Sequence, residues 1–268
     1  MNLVDVHCHL NHELFKDDLD EVIERARKAG VKKILISGVN PASNKEVLKL
    51  VERYPKIICA SLGIYPIDAL GIQPEGVGMA HHEGPIDLQK EFGFIEKNID
   101  KVTAVGEVGM DFHWAEKEKT YQKQAENFRK IIRFCIRIKK PIIIHSRKAE
   151  EECLQILEEE IKNKEIPVVQ HCFSGRKSLM TKAIELGHYF SIPPNIIKAS
   201  NFQTLVKKAP LTQLLTETDS PWLSPYKDKK NEPANVVETI KKIAEVKGIS
   251  DKEVAEHIWD NYVKVFGK

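Results

Sequence analysis

The chain has 268 residues, 42% hydrophobic and 30% charged, with a formal net charge of +2. That length suits one packed domain, and α/β barrels often run this long, so we read residues 1–268 as a single unit. The near-neutral balance neither requires nor excludes a nucleic-acid partner, but it confines any phosphate-binding surface to a local patch.

No apolar stretch approaches the ~20 residues of a membrane span, and the N-terminus lacks the basic and apolar segments of a signal peptide. Five widely spaced cysteines without a CxxC (Cys8, Cys59, Cys135, Cys153 and Cys172) read as reduced thiols in a cytoplasmic protein.

Taken in order, short apolar runs alternate with longer amphipathic, charge-rich segments. The runs are 3–6, 33–36, 57–62, 102–106, 141–145, 167–171, 188–192 and 214–218. Helical patterns cover 17–29, 41–53, 118–139, 149–163, 176–186, 199–209 and 233–247, and a last helix over about 251–265 closes the chain. Apolar runs without alternation suit strands buried on both faces of a parallel sheet. Eight strand–helix units predict a distorted (β/α)8 TIM barrel with a C-terminal helix. A doubly wound open sheet is the competing fold, but neither GxGxxG nor GxxxxGK[ST] occurs. Residues 66–90, rich in Gly and Pro, read as a long loop between strand three and its helix.

The first strand runs into VDVHCHL, residues 4–10. On a strand alternate residues share a face, so Asp5, His7 and His9 point together and Val6 and Cys8 point into the helix layer. HxH alone is a weak signal, better read as chance or a hydrogen-bonded pair than as a metal clamp. The remaining strands change that weighing. Glu107 ends strand four in GEVGMD, His145 ends strand five, His171 ends strand six, and Asp219 follows strand eight in TETDSP. Barrel active sites lie at this end of the strands. Neutral imidazoles and carboxylates converging there can hold two divalent metals ~3.5–4 Å apart, with one carboxylate bridging. Asp5 reads as a support for an imidazole, and Cys8 and Cys172 as core thiols.

In order along the chain, DVHCH, LGIYP, GEVGMDF, HSR, HCFSG, ETDSP and NEPANV resemble the TatD family of metal-dependent hydrolases, within the amidohydrolase-like barrels. The resemblance implies that His7, His9 and Asp219 bind one metal, that His145 and His171 bind a second, and that Glu107 bridges. It also implies that Asp219 is the general base, and that the activity is a deoxyribonuclease acting 3′ to 5′ on DNA. The ions would be Zn, Mn, Mg, Ni or Co, since no thiolate joins the donor set. No protein partner is implied.

The family often carries GxHP after strand three, where this chain has LGIYP. Tyr65 can donate one hydrogen bond there, or it is a packed ring at the rim. Arg147 can clamp a phosphate or pair with a rim carboxylate. His113 and Ser174 are further candidate substrate contacts, each equally readable as a rim hydrogen bond. His81 and His82 read as solvated loop residues, and Trp222 as rim packing. The first alternative function is hydrolysis of a small amide, lactone or phosphoester by the same metal core. The second is a silent metal-binding scaffold, against which all six ligand positions being filled argues.

Overall fold

The computed structural model describes residues 1–73, 81–161, 163 and 166–267. Its strands are β1 (Leu3–Cys8), β2 (Val31–Ser37), β3 (Ile58–Leu62), β4 (Val102–Asp111), β5 (Ile142–Arg147), β6 (Val168–His171), β7 (Tyr189–Ile192) and β8 (Leu214–Thr216). They join in chain order from β1 to β8, every pair parallel. Parallel neighbours need a crossover between them. Helices supply it: α1 (Leu19–Ala29), α2 (Pro41–Arg53), α3 (Leu88–Lys97), α4 (Lys117–Ile138), α5 (Glu150–Glu160), α6 (Lys177–Glu185) and α7 (Ser200–Lys208). Beyond β8 come α8 (Val236–Lys247) and α9 (Asp251–Phe266). The expected barrel is therefore present. Among the described residues no helix is long and apolar enough to cross a membrane, and all five cysteines are free thiols.

The helices form where local signals agree with the core. In α1, Val22, Ile23 and Ala26 fall on one face and are buried, and Gly30 ends the helix at φ +95°. Removing most of Ile23 by Ile23→Ala would cost about 2–5 kcal/mol by leaving a cavity. In α2, the Asn40 side chain accepts from Ser43 N–H and Pro41 opens the first turn.

The C-terminal ends of β4 and β8 differ from expectation. β4 runs five residues past 106, to Asp111, and so carries two acidic residues toward the site rather than one. β8 stops at Thr216 rather than 218. There the chain leaves β7 and turns to β1. The N–H groups of Thr218 and Asp219 donate to His7 O at 3.3 and 2.9 Å, and His9 N–H donates to Ser220 O at 2.8 Å. These bonds draw the two ends of the sheet together and place Asp219 beside the HxH pair. Within 66–90, a short 3-10 turn covers Asp68–Leu70 and α3 starts at Leu88, capped by Asp87. The middle of that stretch, 74–80, lies outside the described residues.

Two glycines make the tight approach of strands possible. A Cβ on Gly63 would stand 2.2 Å from both Glu107 N and Gly38 O. Gly109, at φ +144°, would put a Cβ 2.0 Å from His145 O. Both lie beside the residues that carry the site.

Candidate metal centre

All six expected ligands meet at the C-terminal mouth of the barrel. His7 Nε2 and His9 Nε2 are 3.2 Å apart. Each is 3.6 Å from Glu107 Oε2 and 3.5 Å from Asp219 Oδ1. A tetrahedron of ligands ~2.0–2.1 Å from a central cation has edges of about 3.3–3.4 Å. Five edges of this donor set therefore already match a small divalent cation, and the donors are of the type such cations take. On the other side of Glu107, Oε1 lies 2.7 Å from His145 Nδ1 and 3.9 Å from His171 Nε2. His171 Nε2 is also 3.9 Å from Asp219 Oδ1, and its ring stacks on that of His7 at 3.7 Å.

The far nitrogens of His9, His145 and His171 face acceptors, and that of His7 faces a hydroxyl. His9 Nδ1 is 3.0 Å from Ser37 O. A carbonyl can only accept, so this nitrogen carries the proton and Nε2 offers its lone pair. His171 Nδ1 faces Glu217 Oε2 at 2.8 Å, and His145 Nε2 faces Asp111 Oδ2 at 2.8 Å. Ser37 Oγ sits 3.1 Å from His7 Nδ1.

The electrostatics follow from burial and neighbours. Burial drives the His7 imidazole well below its usual range, helped by His171. Burial alone would raise Glu107, but hydrogen bonding and charge from His145, with His7 and His171, outweigh it and hold the carboxyl well below the usual range. Burial also opposes charge on His145 and His171. The carboxylates around them prevail: Asp111 and Glu107 lift His145 to about 9, and Glu217 and Asp219 lift His171 to about 10. Positive charge is thus favoured at His145 and His171 and disfavoured at His7.

A cavity of about 480 Å³ opens over the cluster, with Trp114 and Trp222 among its lining residues. Asp219 stands at its floor in a left-handed conformation, φ +53°, which Asp tolerates better than most residues. Arg147 lines the wall, exposed, with its guanidinium carbon 5.4 Å from the Trp114 ring centre. Tyr65 is buried, and its hydroxyl donates to Asp111 Oδ2 at 3.1 Å. Ser174 lines the cavity while its hydroxyl donates to Glu150 at 3.0 Å. His113 is exposed, with its ring edge-on to Trp114 at 4.6 Å.

Two expectations need correction. Asp5 holds two backbone N–H groups and a hydroxyl, not an imidazole: it accepts from His7 N–H at 3.2 Å and from Thr218 N–H and Oγ1 at 2.9 and 2.5 Å. The helix layer fits Cys8, which is fully buried, but Cys172 is half-buried and lines the cavity. At φ +44°, Cys172 leaves the strand path, so alternation does not predict its direction.

Sequence reasoning passed over Glu217, Asp111 and Ser37 as supports. Glu217 is fully buried and accepts from His171, from Cys172 N–H at 3.0 Å and from Ser191 Oγ at 2.5 Å. The available signal was the two-residue spacing of Glu217 and Asp219 in TETDSP, the same spacing that singles out HxH.

The family model described as TatD related DNase matches residues 4–267. The chain is similar to human Deoxyribonuclease TATDN3, 36% identical over 270 residues, covering 100% of this chain and 96% of that protein. It is similar to the Bacillus subtilis metal-dependent hydrolase YabD, 33% identical, covering 98% of each. Among solved structures, the Escherichia coli TatD homolog YjjV superposes with a TM-score of 0.85 at 25% identity, over 99% of this chain and 98% of that one.

Proposed function

Because this chain belongs to the TatD related DNase family, we propose that it is a dinuclear metal-dependent deoxyribonuclease that removes nucleotides from the 3′ end of DNA. The observation that carries the metal reading is the near-tetrahedral spacing of His7, His9, Glu107 and Asp219. His7, His9 and Asp219 would hold one ion and His145 and His171 the other, with Glu107 shared between the two groups. The DNA reading is supported by relatives that carry the name deoxyribonuclease and cover the whole chain.

Bound divalent cations supply Lewis acidity toward water and toward phosphoryl oxygens. The protein's part is positioning and proton transfer. The Asp219 carboxylate lies at the cavity floor and takes a proton from the attacking water. The water oxygen bonds to phosphorus, the bond from phosphorus to the leaving oxygen breaks, and Asp219 returns the proton to that oxygen. Arg147, braced over Trp114, holds a phosphate through its fork of N–H donors. Tyr65, His113 and Ser174 shape the rim; of these, Tyr65 and Ser174 already donate their hydroxyls to Asp111 and Glu150.

A second reading, hydrolysis of a small amide, lactone or phosphoester, draws on the same observation about Tyr65. With that hydroxyl engaged, Arg147 is the main cationic contact on the wall. An end-labelled single-stranded oligonucleotide, incubated with metal-loaded protein with and without EDTA, decides between them. A ladder shortening from the 3′ end and stopped by EDTA is expected. Intact oligonucleotide from protein that demonstrably holds its metals would transfer the assignment to a small substrate.

A further inference from the structure

The two halves of the centre are not built alike. Around Glu107 Oε2 the donors stand 3.2–3.6 Å apart, already at cation spacing. Around Glu107 Oε1 they do not. His145 Nδ1 is at hydrogen-bond contact, 2.7 Å, while His171 Nε2 stands off at 3.9 Å. A ligand pair sharing a small divalent cation needs about 3.3 Å between donors. The His145 ring must therefore move away from Glu107 before an ion fits between them.

What resists or permits that movement lies behind the ring. His145 Nε2 is 2.8 Å from Asp111 Oδ2, and the Tyr65 hydroxyl meets the same oxygen at 3.1 Å and Nε2 at 3.3 Å. Asp111 is fully buried, pinned by N–H groups of His113 and Trp114 at 2.8 Å each. Its place is fixed, and two donors compete for one of its oxygens.

We infer that the two metal positions fill in sequence, the His7–His9–Asp219 position first, and that Asp111 and Tyr65 are positioning residues that set how readily the second position fills. This rests on the two-metal reading above. Asp111 draws the Nε2 proton and so sharpens the Nδ1 lone pair. Tyr65 weakens that pull by occupying part of the same carboxylate oxygen. The two residues act on the second ion with opposite sign and leave the first alone.

The test is a calorimetric titration of the chelator-stripped full chain with Mn²⁺, paired with electron paramagnetic resonance to detect coupling between adjacent ions. Wild type is expected to bind in two steps separated by tenfold or more. Asp111→Asn is expected to weaken the second step by about 10–100-fold and to leave the first within about threefold. Tyr65→Phe is expected to tighten the second step a few-fold. A general loss of fold from either change would move both steps together and in one direction, so opposite shifts of the second step alone are diagnostic. Two equal sites in wild type, or shifts in the first step, overturn the inference. One ion per chain at every concentration overturns the two-metal reading with it. Two resolved steps in a protein that leaves DNA intact would remove the DNA substrate and keep this inference.

Discussion

Two regions of this molecule pair acidic and basic side chains at the same separations. At the barrel mouth, His145 and His171 meet Glu107 and Glu217 at 2.7 and 2.8 Å. On the outer face, Arg133 and Arg129 of α4 meet Glu160 of α5 at 2.7 and 2.8 Å, and Arg129 also pairs with Glu159. The distances match, but the surroundings do not. Glu107 and Glu217 are buried, whereas the Arg133 side chain is 67% exposed. Coulomb attraction at 4 Å is ~1 kcal/mol in water and ~4 kcal/mol at the effective dielectric of a protein. The outer pairs are therefore a solvated fringe, and the inner ones form a field in which one missing partner leaves a stranded charge. Geometry alone does not separate a functional cluster from a decorative one; burial does.

The comparison is sharpest at Asp219. Asp219→Asn removes a charge from the mouth while keeping the side-chain shape, and Asn tolerates the left-handed backbone found there. Turnover on an oligonucleotide should fall by about 10²–10⁴, the usual range for losing a positioned acid–base group. Metal analysis of the same sample should still find at least one ion. Full activity in this variant would remove Asp219 from the proton-transfer role.

Next in size is Glu217→Gln. The His171 Nδ1 proton would face a weaker acceptor, and Cys172 N–H and Ser191 would share what remains. Metal affinity should fall by about 10–100-fold, read by competition with a chromophoric chelator. No change would mean that the buried carboxylate serves packing alone.

Glu217 also shows where the sequence stopped being legible. The barrel was readable because eight apolar runs separated by amphipathic helices leave few other arrangements, and the ligands were readable because each lies in the C-terminal half of a strand or within three residues of its end. The supports were not, since a residue that holds a ligand through hydrogen bonds need not sit next to it in the chain. Glu217 reaches His171 across 46 residues, and Asp111 reaches His145 across 34. Ser37 holds His9 through its backbone carbonyl, for which side-chain identity carries no signal, and meets His7 through its hydroxyl from 30 residues away. The ends of β4 and β8 were misjudged for a related reason. They depend on where strands part from their neighbours, after Asp111 and after Thr216, and that is settled by pairing rather than propensity.

Arg147→Ala tests a residue between the two environments, exposed yet braced on Trp114. Loss of a charged hydrogen bond to a phosphate is worth about 1.5 kcal/mol or more, so KM for an oligonucleotide should rise about tenfold. Its kcat should change less if the grip is equal in ground and transition states. Salt should weaken wild-type binding more steeply than that of the variant.

The smallest effect belongs to the outer face. Hydrogen bonding to Arg133, working against partial burial and with Arg129, holds the Glu160 carboxyl below its usual range. A lowered folded-state value means that the pair stabilises above the unfolded carboxyl's range and that this contribution is lost as pH falls through the folded value. Glu160→Gln should therefore cost no more than about 1 kcal/mol at neutral pH after solvent screening, and nothing at a pH below that folded value. Urea melts of both proteins at neutral and acidic pH would show the difference shrinking with acid. A constant difference would mean that Glu160 acts by packing, with its side chain only 10% exposed, and the outer face would then resemble the mouth more closely than its dielectric implies.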